Sequence, residues 1–361
     1  MKTSLVLPLL VLGVSLQGAD TLPDTKPLTM QGDLSAKMVA GISRFLDRAT
    51  EHSLRTRKQY WKRDFSSPEA YTRSVAPNRE RLKKYIGVVD ERQPVKALEY
   101  VATTSSSGVA ADTELFRVLA VRWPVLDGVE AEGLLIQPKG EIKAHVVALP
   151  DADQTPEQLV GLAPGIPLER QYARWLAQSG IQVVIPTLVD RRFEHSGNPR
   201  LGLFTNQPHR EWIYRQAFEM GRHVIGYEVQ RVLAAVDWFE NSGSTRPIGV
   251  IGYNEGGLIA MYASAVDTRI DAACVSGYFQ SRQKLWSEPI YRNVFTLLHE
   301  FGDAEIASLI APRQLIIEYS EVPEIAGTPP GVRGRRSGAA PGSWKTPDFK
   351  SVDGEWRRAI K

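Results

Sequence analysis

The chain has 361 residues, of which 43% are apolar and 24% are charged, and its formal net charge is +3. This length and apolar content suffice for a full hydrophobic core, in one large domain or two smaller ones. The mild charge and the lack of a dense Lys/Arg run argue against a nucleic-acid partner. A single cysteine, Cys274, excludes disulfides within the chain and a cysteine-rich zinc site.

Residues 1–19 have the pattern of a cleavable signal peptide. Lys2 precedes an apolar run over residues 5–16, and the small residues Gly18 and Ala19 offer a cleavage site. The run is shorter than the ~20 residues that a spanning helix needs, and no later segment is long and apolar enough to cross a bilayer. The sequence therefore predicts a secreted or periplasmic protein with no stable membrane insertion after signal removal.

Residues 20–95 are highly charged and carry apolar residues at helical spacing. The segments 34–52 and 68–86 are predicted helices. Because this part of the chain is too polar to hold a large core alone, we expect a helical N-terminal extension.

The main domain is predicted at residues 96–325 and begins with β-structure. A strand at 99–104 is followed by strands at 115–123 and 129–137, which flank an Asp127-Gly128 turn. This pattern predicts an antiparallel hairpin.

Strands and helices then alternate along the chain. The predicted strands are 145–149, 182–185, 247–251, 270–276 and 314–318, and the predicted helices are 168–178, 211–239, 257–265 and 290–301. This alternation predicts an α/β fold with a mostly parallel, doubly wound sheet and helices on both of its faces.

The most informative segment follows the strand at 247–251. It reads Gly-Tyr-Asn-Glu-Gly-Gly from Gly252 and leads into a helix, which is the strand–turn–helix frame of the nucleophile elbow, G-x-S-x-G. The tight turn strains its central residue and needs glycine on either side. That central residue is Asn254, a type that tolerates positive φ. The elbow geometry is therefore predicted to persist without its usual nucleophile.

On this elbow and on the order of its elements, the chain resembles α/β hydrolases of the dienelactone hydrolase and acetyl xylan esterase-like kind, over residues 115–320. The resemblance implies ester hydrolysis by Ser, His and Asp/Glu. By position, Asn254 takes the nucleophile's place and the backbone N–H of Glu255 is one oxyanion donor. The N–H of Asp151 or Ala152 is expected to be the other donor.

The same resemblance places a catalytic acid after the last strand. Glu318 and Glu321 are available there, and Glu321 is preferred because it lies on the loop. Two departures make the standard triad incomplete. An amide cannot replace the serine oxygen because its nitrogen lone pair is delocalised. The general-base histidine should follow the acid, yet the last histidine is His299.

The C-terminal residues 326–361 are predicted to be a Gly/Pro/Arg-rich tail that ends on the start of a helix at 353–361. We expect Arg333, Arg335 and Arg336 to be solvated. The final strand and helix of the fold are not apparent here. One interpretation is therefore that the domain is incomplete and that the chain is a fragment of a longer protein.

Several polar residues have both a functional and a structural interpretation. Glu255 is either a carboxylate at the active-site mouth or a first-turn acid that stabilises its helix. Asp190 and His209 flank a long polar loop at the carboxyl end of a strand, where they contact substrate or only solvent. Asp151 and Asp153 either contribute to an acidic mouth that binds a cation or a sugar, or cap the following helix. No metal or dinucleotide motif is present, so the sequence predicts no metal and no cofactor.

Two functional hypotheses remain open. The first is a secreted ester hydrolase that acts on a small-molecule or carbohydrate ester with altered catalytic groups. The second is a non-catalytic hydrolase-fold binding module, or one part of a longer enzyme.

Overall fold

The computed structural model describes residues 23–26, 30–103, 107–340 and 342–361. The predicted signal peptide, residues 1–19, lies outside them. By its internal contacts the chain divides into two compact units, Met1–Ala49 and Thr50–Lys361. None of the helices in the described ranges is both long and apolar enough to cross a bilayer.

The helices and strands of the described residues are numbered in chain order. The α-helices are α1 (Leu34–Thr56), α2 (Pro68–Ser74), α3 (Ala76–Tyr85), α4 (Pro156–Val160), α5 (Tyr172–Gln178), α6 (His209–Glu219), α7 (Val224–Asn241), α8 (Glu255–Val266), α9 (Leu297–Glu300), α10 (Asp303–Ile310) and α11 (Phe349–Ala359). The strands are β1 (Glu99–Tyr100), β2 (Val109–Asp112), β3 (Phe116–Leu126), β4 (Val129–Pro138), β5 (Ala144–Leu149), β6 (Ile181–Pro186), β7 (Gly197–Asn198), β8 (Leu203–Phe204), β9 (Ile248–Tyr253), β10 (Ala272–Ser276), β11 (Gln314–Glu318), β12 (Ile325–Ala326) and β13 (Ser343–Trp344).

Nine strands in the described part of the chain form one sheet, in the order β1-β3-β4-β6-β5-β9-β10-β11, with β2 also paired to β3. The hairpin of β3 and β4 is antiparallel, and β4 joins β6 in the same sense. From β6 through β5, β9 and β10 to β11, each neighbouring pair is parallel. The predicted hairpin and mostly parallel sheet are therefore confirmed.

Helices cover both faces of the central strands of the sheet. Val146 and Val183 pack on one face against residues of α4 and α5, whereas Val147 and Val184 pack on the other against α7 and α8. The side chains of adjacent strand residues point to opposite faces, so each strand supplies both cores. The doubly wound arrangement is thus confirmed, and it places the carboxyl ends of the parallel strands at one edge.

Two helix predictions are wrong in an informative way. The single helix predicted over 211–239 is two helices, α6 and α7. Gly221 between them has φ 65°, and the imidazole of His223 accepts a hydrogen bond from the N–H of Ile225 at 3.1 Å, which caps α7. The helix predicted over 290–301 is reduced to a 3₁₀ turn at Ile290–Arg292 and the short α9. This leaves Arg292 on an irregular segment that reaches the elbow.

Candidate active site

The turn from β9 to α8 has the strained geometry of an elbow. Asn254 has φ 51° and ψ −110°, a combination that few non-glycine residues adopt. A Cβ on Gly256 would lie 2.2 Å from the carbonyl oxygen of Leu149, and one on Gly252 would lie 2.0 Å from that of Gly256. Glycine is therefore required at both positions by close backbone contact.

The side chain of Asn254 is fully buried and held by an arginine. Its Oδ1 accepts a hydrogen bond from Nη2 of Arg292 at 3.1 Å. Its Nδ2 has no hydrogen-bond partner among the described residues. The residue at the centre of the elbow thus offers an amide group, with a guanidinium against it, and no hydroxyl or thiol.

Glu255 follows directly and is also fully buried. Its Oε1 lies 2.6 Å from Nε of Arg292 and 3.4 Å from Nη2 of Arg191, and its Oε2 lies 3.3 Å from Nη2 of Arg210. Burial by itself would raise the pKa of Glu255, but the charges of Arg292, Arg210 and Arg191 outweigh burial and lower the pKa to about 2. Glu255 is therefore an anion in contact with three guanidinium groups.

These contacts continue through a set of charged side chains that we call the buried ionic network. It contains five carboxylates and four guanidinium groups, those of Asp151, Glu228, Glu255, Glu288, Asp303, Arg191, Arg210, Arg282 and Arg292. At one end, burial raises the pKa of Asp303 to about 6, although Arg282 opposes this. Protonation of Asp303 would leave four negative carboxylates and four positive guanidinium groups in the network. The network occupies the interior beneath the carboxyl edge of the sheet, where charges require close partners.

Two of the three backbone N–H groups that the resemblance assigned to an oxyanion, those of Glu255 and Asp151, are engaged within the protein. The N–H of Glu255 donates to Oδ1 of Asp151 at 3.2 Å, and the N–H of Asp151 donates to Oε1 of Gln154 at 3.1 Å. Arg191 holds the Asp151 carboxylate with two hydrogen bonds, at 2.8 and 3.0 Å. Ala152 is buried beside them. A carboxylate, rather than an open donor pair, therefore lies next to the elbow.

Glu321 lies on the loop after β11, as expected, and its side chain is exposed. Its carbonyl oxygen accepts a hydrogen bond from the hydroxyl of Tyr253 at 2.6 Å, which ties this loop to the end of β9. Within the described residues the Glu321 carboxylate makes no hydrogen bond to a histidine. Glu318 is exposed at the end of β11.

Asp190 and His209 form a pair across the two ends of the 187–208 loop. Nδ1 of His209 donates to Oδ1 of Asp190 at 2.5 Å, and Nε2 of His209 accepts from the backbone N–H of His195 at 3.0 Å. This arrangement requires a neutral imidazole with its proton on Nδ1. The sequence singled out both residues but did not pair them, although their position at the two ends of one loop was a usable signal.

A loop of the C-terminal region, which contains Arg335, covers the 187–208 loop. Arg335 donates hydrogen bonds to the carbonyl oxygens of Phe193, Glu194 and Thr205, and its guanidinium lies over the rings of Phe193 and Phe204. The expectation that Arg335 is solvated is therefore wrong, because three backbone acceptors of the 187–208 loop converge on it.

Between this loop and the network lies a cavity of about 280 Å³, which we call the mouth cavity. Its lining combines three acids, an arginine and a tyrosine with four prolines and other small or apolar residues: Asp153, Arg191, Pro208, Glu211, Pro289, Tyr291, Glu324, Ile325, Ala326, Gly327, Thr328, Pro329, Pro330, Ala340 and Gly342. Arg191 lines the cavity and also belongs to the buried ionic network. It connects the two through Tyr291, because Nε of Arg191 donates to the hydroxyl of Tyr291 at 3.1 Å. No group of three or more His, Cys, Asp or Glu side chains suited to a metal occurs in the described ranges.

The arginines of the site were the main omission of the sequence analysis. Arg292 lies 37 residues beyond Glu255, and Arg210 lies 45 residues before it. No local spacing signals such contacts, because they depend on the tertiary fold.

Comparison with known proteins agrees with the fold. Residues 137–297 match the model of the dienelactone hydrolase family. A Bacillus subtilis (strain 168) protein named "Putative hydrolase YtaP" is 33% identical over 110 residues, which are 28% of this chain and 36% of that protein's length. The crystal structure of a "putative acetyl xylan esterase" from Bacteroides fragilis NCTC 9343 superposes with a TM-score of 0.54 at 17% identity, covering 76% of this chain and 74% of that one. The chain therefore has an α/β-hydrolase fold, and its residues 137–297 are similar to the dienelactone hydrolase family.

Proposed function

We propose that this polypeptide is an esterase-type hydrolase-fold protein that binds a small-molecule or carbohydrate ester without hydrolysing it at the elbow. The observation that carries the proposal is the Asp151 carboxylate on the N–H of Glu255, beside an Asn254 amide held by Arg292. An elbow that promotes acyl transfer needs a nucleophile and free donors for the developing oxyanion. In this chain the first is replaced and a donor is occupied by a negative charge.

The mouth cavity is the place where we expect the ligand. Its acids, Asp153, Glu211 and Glu324, can accept hydrogen bonds from hydroxyl groups, and Tyr291 offers a ring face. At about 280 Å³ the cavity is just below the range typical of ligand sites, so it suits a compact, sugar-sized group. A polar, hydroxyl-rich ester therefore fits this lining better than a long acyl chain.

Ester hydrolysis by other groups is the second candidate. The hydrogen bond of 2.5 Å between Asp190 and His209 is the carboxylate–imidazole arrangement that orients a general base. However, Nε2 of His209 already accepts a hydrogen bond from the N–H of His195. Hydrolysis through this pair would require that bond to open.

Turnover and binding measurements separate the two candidates. We expect p-nitrophenyl acetate and acetylated xylan to react no faster with the protein, or with Asn254→Ala, Asn254→Ser or His209→Ala, than in buffer. Turnover that disappears in Asn254→Ala would assign activity to the elbow, and turnover that disappears only in His209→Ala would favour the second candidate.

Binding is measured by calorimetry with acetylated xylo-oligosaccharides. We expect a saturable heat that weakens in Glu324→Ala, whose side chain lines the mouth cavity, and is unchanged in Glu157→Ala, an exposed acid outside it. Absence of both binding and turnover with this class of ester would overturn the proposal.

Export to the periplasm or the medium is part of the same proposal. It is supported by Lys2, the apolar run over residues 5–16 and the small residues at 18 and 19. N-terminal sequencing of the exported protein is expected to start at Asp20, and retention of Met1 in an intracellular protein would contradict it.

A further inference from the structure

A groove of about 500 Å³ runs along α6 and α7, beside the start of β4 and the loop after β6, and we call it the α6–α7 groove. It shares no lining residue with the mouth cavity. A mostly apolar wall with a few polar groups, at a volume of this size, is typical of sites for small molecules. The apolar lining includes Val129, Val189, Ile213, Met220, Val224 and Tyr227, and two arginines, Arg222 and Arg231, complete it.

The two arginines of the groove differ in how their charges are compensated. Arg222 is paired with the carboxylate of Asp90, to which its Nε and Nη2 donate at 2.9 and 2.5 Å. Arg231 donates a single hydrogen bond, from Nη1 to the carbonyl oxygen of Thr187 at 3.2 Å. Its Nε is buried without a hydrogen-bond partner, and no carboxylate among the described residues forms an ion pair with it.

The acid closest to Arg231 along α7 is Glu228, and its carboxylate is already engaged. Its two oxygens accept hydrogen bonds from Arg210 at 2.7 and 2.8 Å, and one of them also accepts the N–H of Val189 at 3.0 Å. Burial lowers the pKa of Arg231; Glu228 opposes this, and Arg210 adds to it. Because a guanidinium nevertheless stays protonated at neutral pH, the groove contains a positive charge whose compensation is incomplete.

We propose that the α6–α7 groove binds a small monocarboxylate with an apolar body, such as a short-chain fatty acid. The carboxylate accepts charge-assisted hydrogen bonds from Arg231, and the body packs against Val189, Ile213 and Tyr227. A neutral ligand of the same shape would leave the charge of Arg231 without a partner. A sugar would place hydroxyl groups against an apolar wall. The site is separate from the mouth cavity, so this inference goes beyond the proposed function.

Calorimetry on the full chain at neutral pH tests the two parts of the ligand. We expect saturable binding of hexanoate, and binding of the neutral 1-hexanol that is weaker by about tenfold or more, the effect of one charge-assisted hydrogen bond. Across acetate, butyrate and hexanoate, affinity should rise by about fourfold for each methylene that enters the groove.

Substitution of Arg231 tests the role of the charge. Arg231→Met retains an unbranched apolar stem, so it should weaken hexanoate binding by about tenfold or more and change 1-hexanol binding by less than about twofold. Arg231→Lys keeps the charge and should bind hexanoate more tightly than Arg231→Met. Arg200→Met, which removes an exposed arginine outside the groove, is the matched control and should bind hexanoate like the wild type.

The fold should survive these substitutions, because Arg231 has no carboxylate partner that its loss would leave unpaired. Circular dichroism of each variant and its binding of 1-hexanol check this point.

Three results would overturn the proposal. They are a wild type that shows no saturable binding of hexanoate, equal affinities for acetate and hexanoate, and hexanoate binding that is unchanged in folded Arg231→Met. The second result would mean that only the anion is recognised, and the third that hexanoate binds elsewhere on the protein.

Discussion

The backbone N–H of Glu255 donates a hydrogen bond to the carboxylate of Asp151 at 3.2 Å. In an elbow that stabilises an oxyanion, the equivalent N–H faces the substrate. Here it faces a negative charge that Arg191 holds in place by two hydrogen bonds. The substitution of the nucleophile by Asn254 is thus accompanied by an internal ionic network that pairs the charged side chains around it. The same network joins α8 to several other segments of the domain, so we expect it to contribute to the stability of the fold.

The first prediction concerns Asp151 and Asp153, which both bind Arg191 but differ in burial. Their side chains are 2% and 52% exposed. Removal of a buried partner leaves an unpaired buried charge, so Asp151→Ala is expected to lower the free energy of unfolding by about 3–5 kcal/mol. Asp153→Ala should lower it by less than about 1 kcal/mol, because solvent screens the exposed pair. Urea unfolding at neutral pH measures both.

Equal effects of the two substitutions would contradict this account. Equal effects would mean that the positive charge of Arg191 is compensated by Glu255 alone, through the 3.4 Å contact.

A second prediction follows from the low pKa of Glu255. The folded-state pKa of about 2 lies below the usual 4.5, so the stabilisation by this carboxylate is present above pH 4.5 and is lost as the pH falls towards 2. Glu255→Gln should therefore reduce the free energy of unfolding by several kcal/mol at pH 7, and the difference from wild type should shrink through that acid range. Glu240→Gln changes an exposed acid of α7 and is the control.

Chemical unfolding curves recorded from pH 7 downwards give the measurement. A difference between Glu255→Gln and wild type that stays constant with pH would show that the carboxylate acts by shape rather than by charge.

The fold could be predicted further from the sequence than the site could. Strand β9, the turn and α8 were recognisable because their signals are local: a β-rich run, a glycine-framed turn and a following apolar helix. The contacts of Arg292 with Asn254 and Glu255 join segments that only the tertiary fold brings together. The break between α6 and α7 carried a local signal, Gly221 followed by a capping His223, but the apolar spacing continued through it and concealed the boundary.

A third prediction concerns the cover of the mouth cavity. Arg335 donates to three carbonyl oxygens of the 187–208 loop, whereas Arg333, two residues before it, is exposed. Arg335→Ala should therefore raise amide hydrogen exchange in residues 193–205, because local opening depends on contacts of this kind. Arg333→Ala should leave that exchange at the wild-type level. An unchanged exchange profile in Arg335→Ala would show that the other contacts of the cover, such as those of Asn206 with Pro329, Gly338 and Ala339, hold it without Arg335.

The fourth prediction uses His223, the cap of α7. Burial lowers the pKa of His223 to about 4; the hydrogen bond to the Asn293 carbonyl opposes this, and Arg210 adds to it. The unfolded chain takes up a proton near pH 6.5 while the folded chain does not, so the stability that His223 contributes is present above pH 6.5 and is lost as the pH falls to 4. At one pKa unit per 1.36 kcal/mol, the wild type should lose about 3 kcal/mol across this window.

His223→Asn tests this with the cap preserved, because an asparagine oxygen also accepts the N–H groups at a helix start. The variant loses the bond to Asn293, so it should be less stable than wild type at pH 7 by about 1 kcal/mol. Between pH 6.5 and 4 its unfolding free energy should fall less steeply than that of wild type, and the two curves should converge or cross. His52→Asn, at an exposed position of α1, should keep the wild-type slope. Parallel curves for His223→Asn and wild type would mean that the imidazole is protonated in the folded protein, where it would face the positive end of α7.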